Sequence, residues 1–294
     1  MARRIKMDWT KITKTISKQE KGYKKEVDER LYVPKLKDDG TAQSVIRFLW
    51  SKDTDIPFVK KYSHGFKNAG GWYIEDCPTT IGKDCPVCKA NSVAWNAGNQ
   101  DLAKSRSRRL SCYANILVVK DPQTPENNGK VFLYRYGKKI HEKIMAKITP
   151  PEDGIEEPIM IFDPYDGANF KLIIKTTHSN INGVDKSFLN YDGSTFAEKT
   201  EIGTDAKVDK VDKALYTLSE FVSNDNFKSF DELGTRFAKV TGQDSASPTP
   251  RQEEKNEDAE SAPGAGEDVP EPGAESEEST DNFLQKLRDG ETKK

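Results

Sequence analysis

The sequence predicts an α+β fold that is mainly β. We expect a partly open barrel of the OB type with an inserted cysteine–histidine subdomain, a basic N-terminal segment and an acidic C-terminal tail. Three observations predict this. From about residue 40, short β-branched and aromatic runs recur between turn signals. Three of the four cysteines and one of the three histidines crowd into residues 64–88. After Gly242 the composition turns abruptly to Pro, Ser, Ala, Gly and acids.

Taken in order, Lys11, Lys14, Lys18 and Lys21 fall at helical spacing near the N-terminus, with Ile12 and Ile16 one turn apart. A short basic helix and a solvated tail both fit, and the apolar face is too thin for membrane-surface binding. "SVIRFLW" (44–50), "GWYIE" (71–75), "CYANILVVK" (112–120) and "KVFLYRYG" (130–137) read as strands, parted by turns such as "DPQTPENNG". "GKKIHEKIMAKI" (137–148) reads as a helix with Ile140, Ile144 and Ile148 on one stripe and Lys139, Lys143 and Lys147 on another. "EPIMIF" (157–162) and "ANFKLIIKTT" (168–177) read as strands, the second with Phe170, Leu172 and Ile174 on one face and Lys171 and Lys175 on the other. Two helices close the core. One carries Val211, Leu215, Leu218 and Val222; the other opens on a Ser229/Glu232 capping box and carries Leu233, Phe237 and Val240. Five or six strands with irregular loops and a few helices give the partly open barrel. The expected divisions are a basic segment over 1–22, a core over 23–242 with its metal subdomain at about 60–100, and a disordered acidic tail over 243–294.

The net charge of −2 conceals a polarity. Residues 1–25 hold nine Lys/Arg against two acids, and residues 244–294 hold fifteen acids against six Lys/Arg. A basic head with an acidic tail suits a polyanion-binding protein with a built-in competitor. The longest apolar runs, such as "NILVV" (115–119), are too short to cross a bilayer. The basic start "MARRIKMDWTK" lacks a following apolar stretch, so no signal peptide is expected.

His64, Cys77, Cys85 and Cys88 follow the pattern H-x12-C-x7-C-x2-C. One imidazole and three thiolates complete a tetrahedral zinc set, and clustered cysteines without a signal peptide fit a reducing compartment. A closed set leaves no open position for water, which marks a structural site. The other reading is a group of buried thiols beside an unrelated histidine. Cys112, inside a strand, reads as a small buried hydrophobe. Zinc deaminases require H-x-E and P-C-x-x-C, whereas this chain has "HGF" and "DCPVC". With no P-loop, G-x-S-x-G or obvious carboxylate pair, a binding protein is favoured over an enzyme.

Lys104, Arg106, Arg108 and Arg109 precede Tyr113, and Tyr134, Arg135, Tyr136, Lys138 and Lys139 interleave rings with cations. Such a sheet edge suits single-stranded nucleic acid: cations track phosphates, and rings stack on unpaired bases at roughly 1–3 kcal/mol each. Half-buried strand tyrosines beside a solvated arginine loop would give the same pattern. Trp72 and Tyr73 join the candidates because they lie beside the cysteine–histidine cluster.

"AQSVIRFLWSK", "HGFKNAGGWYIEDC", "CPVC", "YANILVVKDPQTPENNGKVFLYRYGKKI", "GANFKL" and "DNFKSFDELGTRFAKV" follow one another over residues 40–242. Together they resemble the helix-destabilising single-stranded DNA-binding proteins of T-even-type bacteriophages. The resemblance implies an OB core with a zinc subdomain, Zn2+ on His64, Cys77, Cys85 and Cys88, and DNA contacts at Arg47, Arg108, Arg109, Tyr113, Tyr134 and Arg135. It implies cooperative head-to-tail association through a basic N-terminal motif, here loosely "RRIK" with Arg3, Arg4 and Lys6. It also implies an acidic tail that competes for the DNA cleft and engages a polymerase, a helicase loader and a recombination mediator, in the cytoplasm of an infected bacterium. Aromatics that the family carries before "CPVC", upstream of the basic cluster and before "KSFLN" are missing, which leaves a smaller platform with Trp95 or His178 as substitutes. A zinc-stabilised RNA-binding protein and a zinc-dependent nucleic-acid-modifying enzyme are the alternatives.

Overall fold

The computed structural model describes residues 28–151, 157–181 and 184–242. Eight strands among them form one antiparallel sheet: β1 (Thr41–Phe48), β2 (Val59–Asn68), β3 (Gly71–Asp76), β4 (Arg108–Lys120), β5 (Val131–Tyr136), β6 (Ala168–Ile181), β7 (Val184–Asn190) and β8 (Thr195–Lys199). The order is β3-β2-β4-β1-β6-β7, with β5 on β4 and β8 on β6. Five helices accompany them: α1 (Pro86–Asn96), α2 (Gln100–Ser105), α3 (Lys138–Ile148), α4 (Asp205–Lys213) and α5 (Phe230–Thr241). No helix among the described residues is long and apolar enough to cross a membrane.

The thirteen residues of β4 organise the sheet. One edge pairs first with β2, through residues 108–113, and then with β1, through 116–120. The opposite edge pairs with β5. Strands sharing one long partner in this way must curl, and the concave side holds the main core. Cys112, Ala114, Ile116 and Val118 of β4 meet Ile46 and Phe48 of β1 there, with Phe170, Leu172 and Ile174 of β6 and Ile140 and Ile144 of α3. The alternation expected along β6 and the apolar stripe of α3 are therefore what is buried, while Lys171 and Lys175 are exposed.

Strand β2 was not anticipated. "VKKYSHGFKN" is polar and holds a glycine, so little in it favours a strand. It is extended because both its edges are occupied, by β3 and by β4. The β2–β3 turn then docks on α5: Gly70 N–H donates to Val240 O at 2.9 Å. A Cβ on Gly70 would lie 2.1 Å from the Lys239 carbonyl oxygen, so no larger residue fits.

Two expected elements are corrected. Residues 157–162 form no strand; Ile161 and Phe162 are buried from a turn closed by Asp163 N–H on Met160 O at 2.9 Å. The stripe Val211–Val222 is not one helix, because α4 ends at Lys213. The Asn115 side chain both donates to Tyr216 O and accepts from Tyr216 N–H, each at 2.9 Å, and Asp53 accepts from the amides of Leu218 and Ser219. These bonds hold the segment extended across the convex side of the sheet, where Leu218 is fully buried.

Helix α5 forms as its sequence expects. The Ser229/Glu232 capping box is complete, worth about 1 kcal/mol. The buried side chains of Leu233, Phe237 and Val240 contribute roughly 1.5–3 kcal/mol each, so docking outweighs capping.

Candidate metal centre and the adjoining sheet face

His64 stands in the middle of β2, Cys77 directly follows β3, and Cys85 and Cys88 open α1. Pro86 occupies the first helical position, where its missing N–H costs no bond. The C-x2-C sulfurs thus sit at a helix N-terminus, whose amides favour thiolate.

The four donor atoms lie within 4.8 Å of one another. Cys77 Sγ is 3.6 Å from Cys88 Sγ, and His64 Nε2 is 3.5 Å from the sulfurs of Cys85 and Cys88. Tetrahedral coordination with metal–sulfur bonds of about 2.3 Å and metal–nitrogen bonds of about 2.0 Å separates ligands by about 3.5–3.8 Å, so the set fits one four-coordinate ion. Burial opposes charging His64, yet the facing sulfurs of Cys77 and Cys85 outweigh it and push its pKa up to about 9. His64 Nδ1 lies 2.9 Å from Arg106 O. With its proton on Nδ1, the ring donates to that carbonyl and leaves the Nε2 lone pair for a metal.

The β2–β3–β4 ladders divide the neighbouring side chains between two faces, since residues paired across antiparallel strands point the same way. His64, Phe66, Tyr73 and Arg108 share the face that holds the cluster and α5. Lys67 with Trp72, Gly65 with Ile74, and Ser63 with Arg109 share the opposite face, which continues through Ser111 and Tyr113 to Arg135. On it Trp72 is 58% and Ile74 63% exposed. The Arg109 guanidinium lies close over Gly65, where a Cβ would come 3.9 Å from Nη1. Arg135 donates to Ser111 Oγ at 2.9 and 3.1 Å. No carboxylate among the described residues pairs with Lys67, Arg109 or Arg135, whereas Lys61 is neutralised by Asp76 at 2.8 Å. Beyond His64, where the β4 ladder ends, Lys67, Trp72 and Arg109 border a groove of about 440 Å³ whose far wall is Leu102, Ser105 and Arg106.

The structure brings Trp72 and Arg109 close on this open face, with Arg135 exposed farther along it, at the register of Tyr113. It does not expose several other candidates. Arg47 is fully buried and donates to Asp163 O and Thr200 O, both at 2.8 Å, so it ties loops together. Tyr73 is fully buried and stacks on Phe66, with centroids 5.0 Å apart. Tyr134 and Tyr136 point into the concave core and stack on each other at 5.9 Å. For these four the expected direct contact is corrected: a ring or guanidinium enclosed on all sides has no surface to offer. Tyr113 lies on the open face but stacks on Phe221 at 4.2 Å. Arg108 turns inward over the Tyr62 ring at 4.3 Å and donates to Thr79 Oγ1, beside Cys77. Lys138 and Lys139 are exposed at the start of α3. Trp95 is 37% exposed with Lys104 Nζ 5.9 Å from its ring centre, and His178 bonds Ser187 at 3.1 Å. Arg3, Arg4 and Lys6, the basic segment and the tail lie outside the described residues.

Lys67 and Ile74 are additions to the sequence-based set, and Arg106 of the basic cluster lines the groove beside them. The alternation Gly65–Lys67 opposite Trp72–Ile74 would have shown the first two, had β2 been read as a strand.

A family model described as gp32 DNA binding protein like matches residues 40–241. The chain is 42% identical over 230 residues to a single-stranded DNA-binding protein of Enterobacteria phage T4, covering 76% of this chain and 73% of that one. It is 43% identical over 216 residues to the protein of the same name from Enterobacteria phage T2, covering 71% and 68%. A 72-residue stretch is 44% identical to a single-stranded DNA-binding protein of Escherichia phage SV14.

Proposed function

The chain belongs to the gp32-like DNA-binding family, and on that premise we propose that it binds single-stranded DNA, without sequence preference, along the open face of β3, the far half of β2 and the start of β4, beyond the part that residues 216–222 cover. The observation that carries this is the placement of exposed Trp72 and Ile74 beside the unpaired cations Lys67 and Arg109, with Arg135 farther along the same face at the register of Tyr113 and Val59. An apolar ring can take any base on its face, and the cations lie beside it to meet phosphates. Arg106 and Lys67 line the groove through which the backbone would continue.

The curled sheet, in this reading, is an OB barrel carrying a zinc subdomain. His64, Cys77, Cys85 and Cys88 hold one structural Zn2+, which cross-links β2, the end of β3 and α1. His64 passes that constraint to Arg106 through its Nδ1 bond, and Arg108 passes it from Thr79 to β4. The ion thus orients the strands whose far side meets DNA, and the protein acts by binding, not by catalysis.

Coating single strands suits roles in phage replication, recombination and repair in the host cytoplasm. Arg3, Arg4 and Lys6 would join neighbours head to tail, and the acidic tail would meet partner proteins. The deciding experiment titrates the protein with a long single strand and with duplex of equal length at several salt concentrations. Preferential single-strand binding, with log affinity falling against log salt by about 0.7 per phosphate neutralised, is expected. Equal affinity for both forms, or no salt dependence, would overturn the reading. Matched RNA competing as well as DNA would favour the RNA alternative.

A further inference from the structure

The three sulfurs of the metal cluster are supported unequally. Cys85 stands at the N-cap of α1 and Cys88 in its first turn, where the helix dipole favours thiolate. Cys77 has no such helix. It precedes only the four-residue turn Pro78–Ile81. What faces it is a hydroxyl: Thr79 Oγ1 lies 3.1 Å from Cys77 Sγ. The same oxygen accepts from Arg108 Nη1 at 2.9 Å. Chemistry fixes the direction of this chain of bonds. A guanidinium can only donate, so Thr79 accepts there and its single proton is left for the sulfur. A metal-bound thiolate carries no proton and can only accept.

Charge makes the donor matter. A divalent ion with three thiolates and a neutral imidazole leaves one negative charge, and His64, Cys77 and Cys85 bury it. Arg108 supplies the opposite charge one hydroxyl away. Its guanidinium lies over the Tyr62 ring at 4.3 Å, and its Nε is buried with no partner among the described residues, so the side chain is committed to this place. Tyr62 is tied in as well. Its carbonyl accepts from Cys77 N–H at 2.8 Å, and its N–H donates to Thr80 Oγ1 at 2.9 Å. We propose that Thr79 is a positioning residue for the metal: polarised by Arg108, its hydroxyl donates to Cys77 Sγ, fixes that ligand and slows loss of the ion. This rests on the reading of His64, Cys77, Cys85 and Cys88 as one metal centre. It gives Arg108, which the resemblance assigns to DNA, a part in retaining metal instead.

The test uses the full chain loaded with Zn2+ and, separately, with Co2+. Chelator competition measures zinc affinity, and the thiolate-to-cobalt charge-transfer band reports on the sulfur lone pairs. Thr79→Val keeps the side-chain shape and removes the hydroxyl. It should lower zinc affinity about 10–100-fold and move the band to longer wavelength, because a thiolate without its donor gives up charge more easily. Thr79→Ser, which keeps the hydroxyl, should match the parent in both. Arg108→Met, which leaves Thr79 in place, should lower affinity on its own yet add little to Thr79→Val, since both act through one bond. Circular dichroism of the zinc-loaded variants checks that each is folded. A Thr79→Val chain with the parent's affinity and band, a Thr79→Ser chain as weak as Thr79→Val, or fully additive losses would each overturn the inference while leaving the metal centre standing. A parent chain that takes up no cobalt would overturn both.

Discussion

Arg108 and Arg109 are adjacent in sequence and work on opposite sides of one sheet. Arg108 lies over Tyr62 at 4.3 Å on the side of the metal cluster, while Arg109 pairs with Ser63 on the open side. Arg109→Ala should weaken oligo-dT binding and lower the salt slope by about 0.7, with stability changed by less than about 0.5 kcal/mol. Arg108→Ala should leave the slope alone and cost about 1–3 kcal/mol of stability, because Thr79 loses its donor beside Cys77. Salt titrations and urea melts of both variants check this; the opposite pattern would mean that the faces are misassigned.

Trp72 and Tyr73 divide in the same way. Trp72→Ala should cost roughly 1–3 kcal/mol of single-strand affinity at every salt concentration, with no change in slope, since stacking releases no counterions. Tyr73→Ala should cost about 3–5 kcal/mol of folding stability, because its buried ring stacks on Phe66. Fluorescence titration separates the two effects, and an unchanged Trp72→Ala affinity would remove Trp72 from the platform.

Tyr136 is enclosed, with no hydrogen-bond partner among the described residues for its buried hydroxyl. Tyr136→Phe should therefore bind oligo-dT as the parent does and be equally or more stable, since it deletes an unsatisfied polar atom. A clear loss of affinity would show that this ring swings out to meet the strand.

Metal removal should act on fold and binding together. Structural zinc contributes roughly 10–16 kcal/mol in small metal-dependent domains, so a chelator should lower the melting temperature and weaken DNA binding in parallel with ion loss. Metal analysis alongside circular dichroism and titration follows all three. Protein stripped of its ion yet unchanged in both would rule out the structural role.

Acid should expose His141. It is buried against Phe58, with ring centres 5.1 Å apart, and burial followed by the nearby charge of Lys60 pushes its pKa down to about 4. The unfolded chain binds this proton below about pH 6.5, and the folded chain does not until about pH 4. Its contribution is thus fully present above pH 6.5, and up to about 3 kcal/mol of it is lost as the pH falls to 4. His141→Phe should remove about one proton from the linkage in that window. Melts at matched zinc isolate this from ligand protonation, and a variant as acid-sensitive as the parent would exclude His141.

Local chemistry was legible in the sequence. The spacing of His64, Cys77, Cys85 and Cys88 needs only a hairpin and a helix start to bring four donors together. The capping box at Ser229 closes within one turn, and the Phe170–Leu172–Ile174 alternation states which side chains share a face. Tertiary structure decided which face is covered. β2 is a strand only because β3 and β4 flank it, and Asn115 and Asp53, far away in sequence, keep residues 216–219 from continuing a helix. Tyr134, Tyr136 and Arg135 alternate in "YRY", and the pattern alone fits rings outward as well as rings inward. The curl of the sheet around Phe48 and Phe170 put the rings in the core and left Arg135 in solvent. Register and curvature are set by pairing between distant segments, and no stretch of neighbouring residues carries that information.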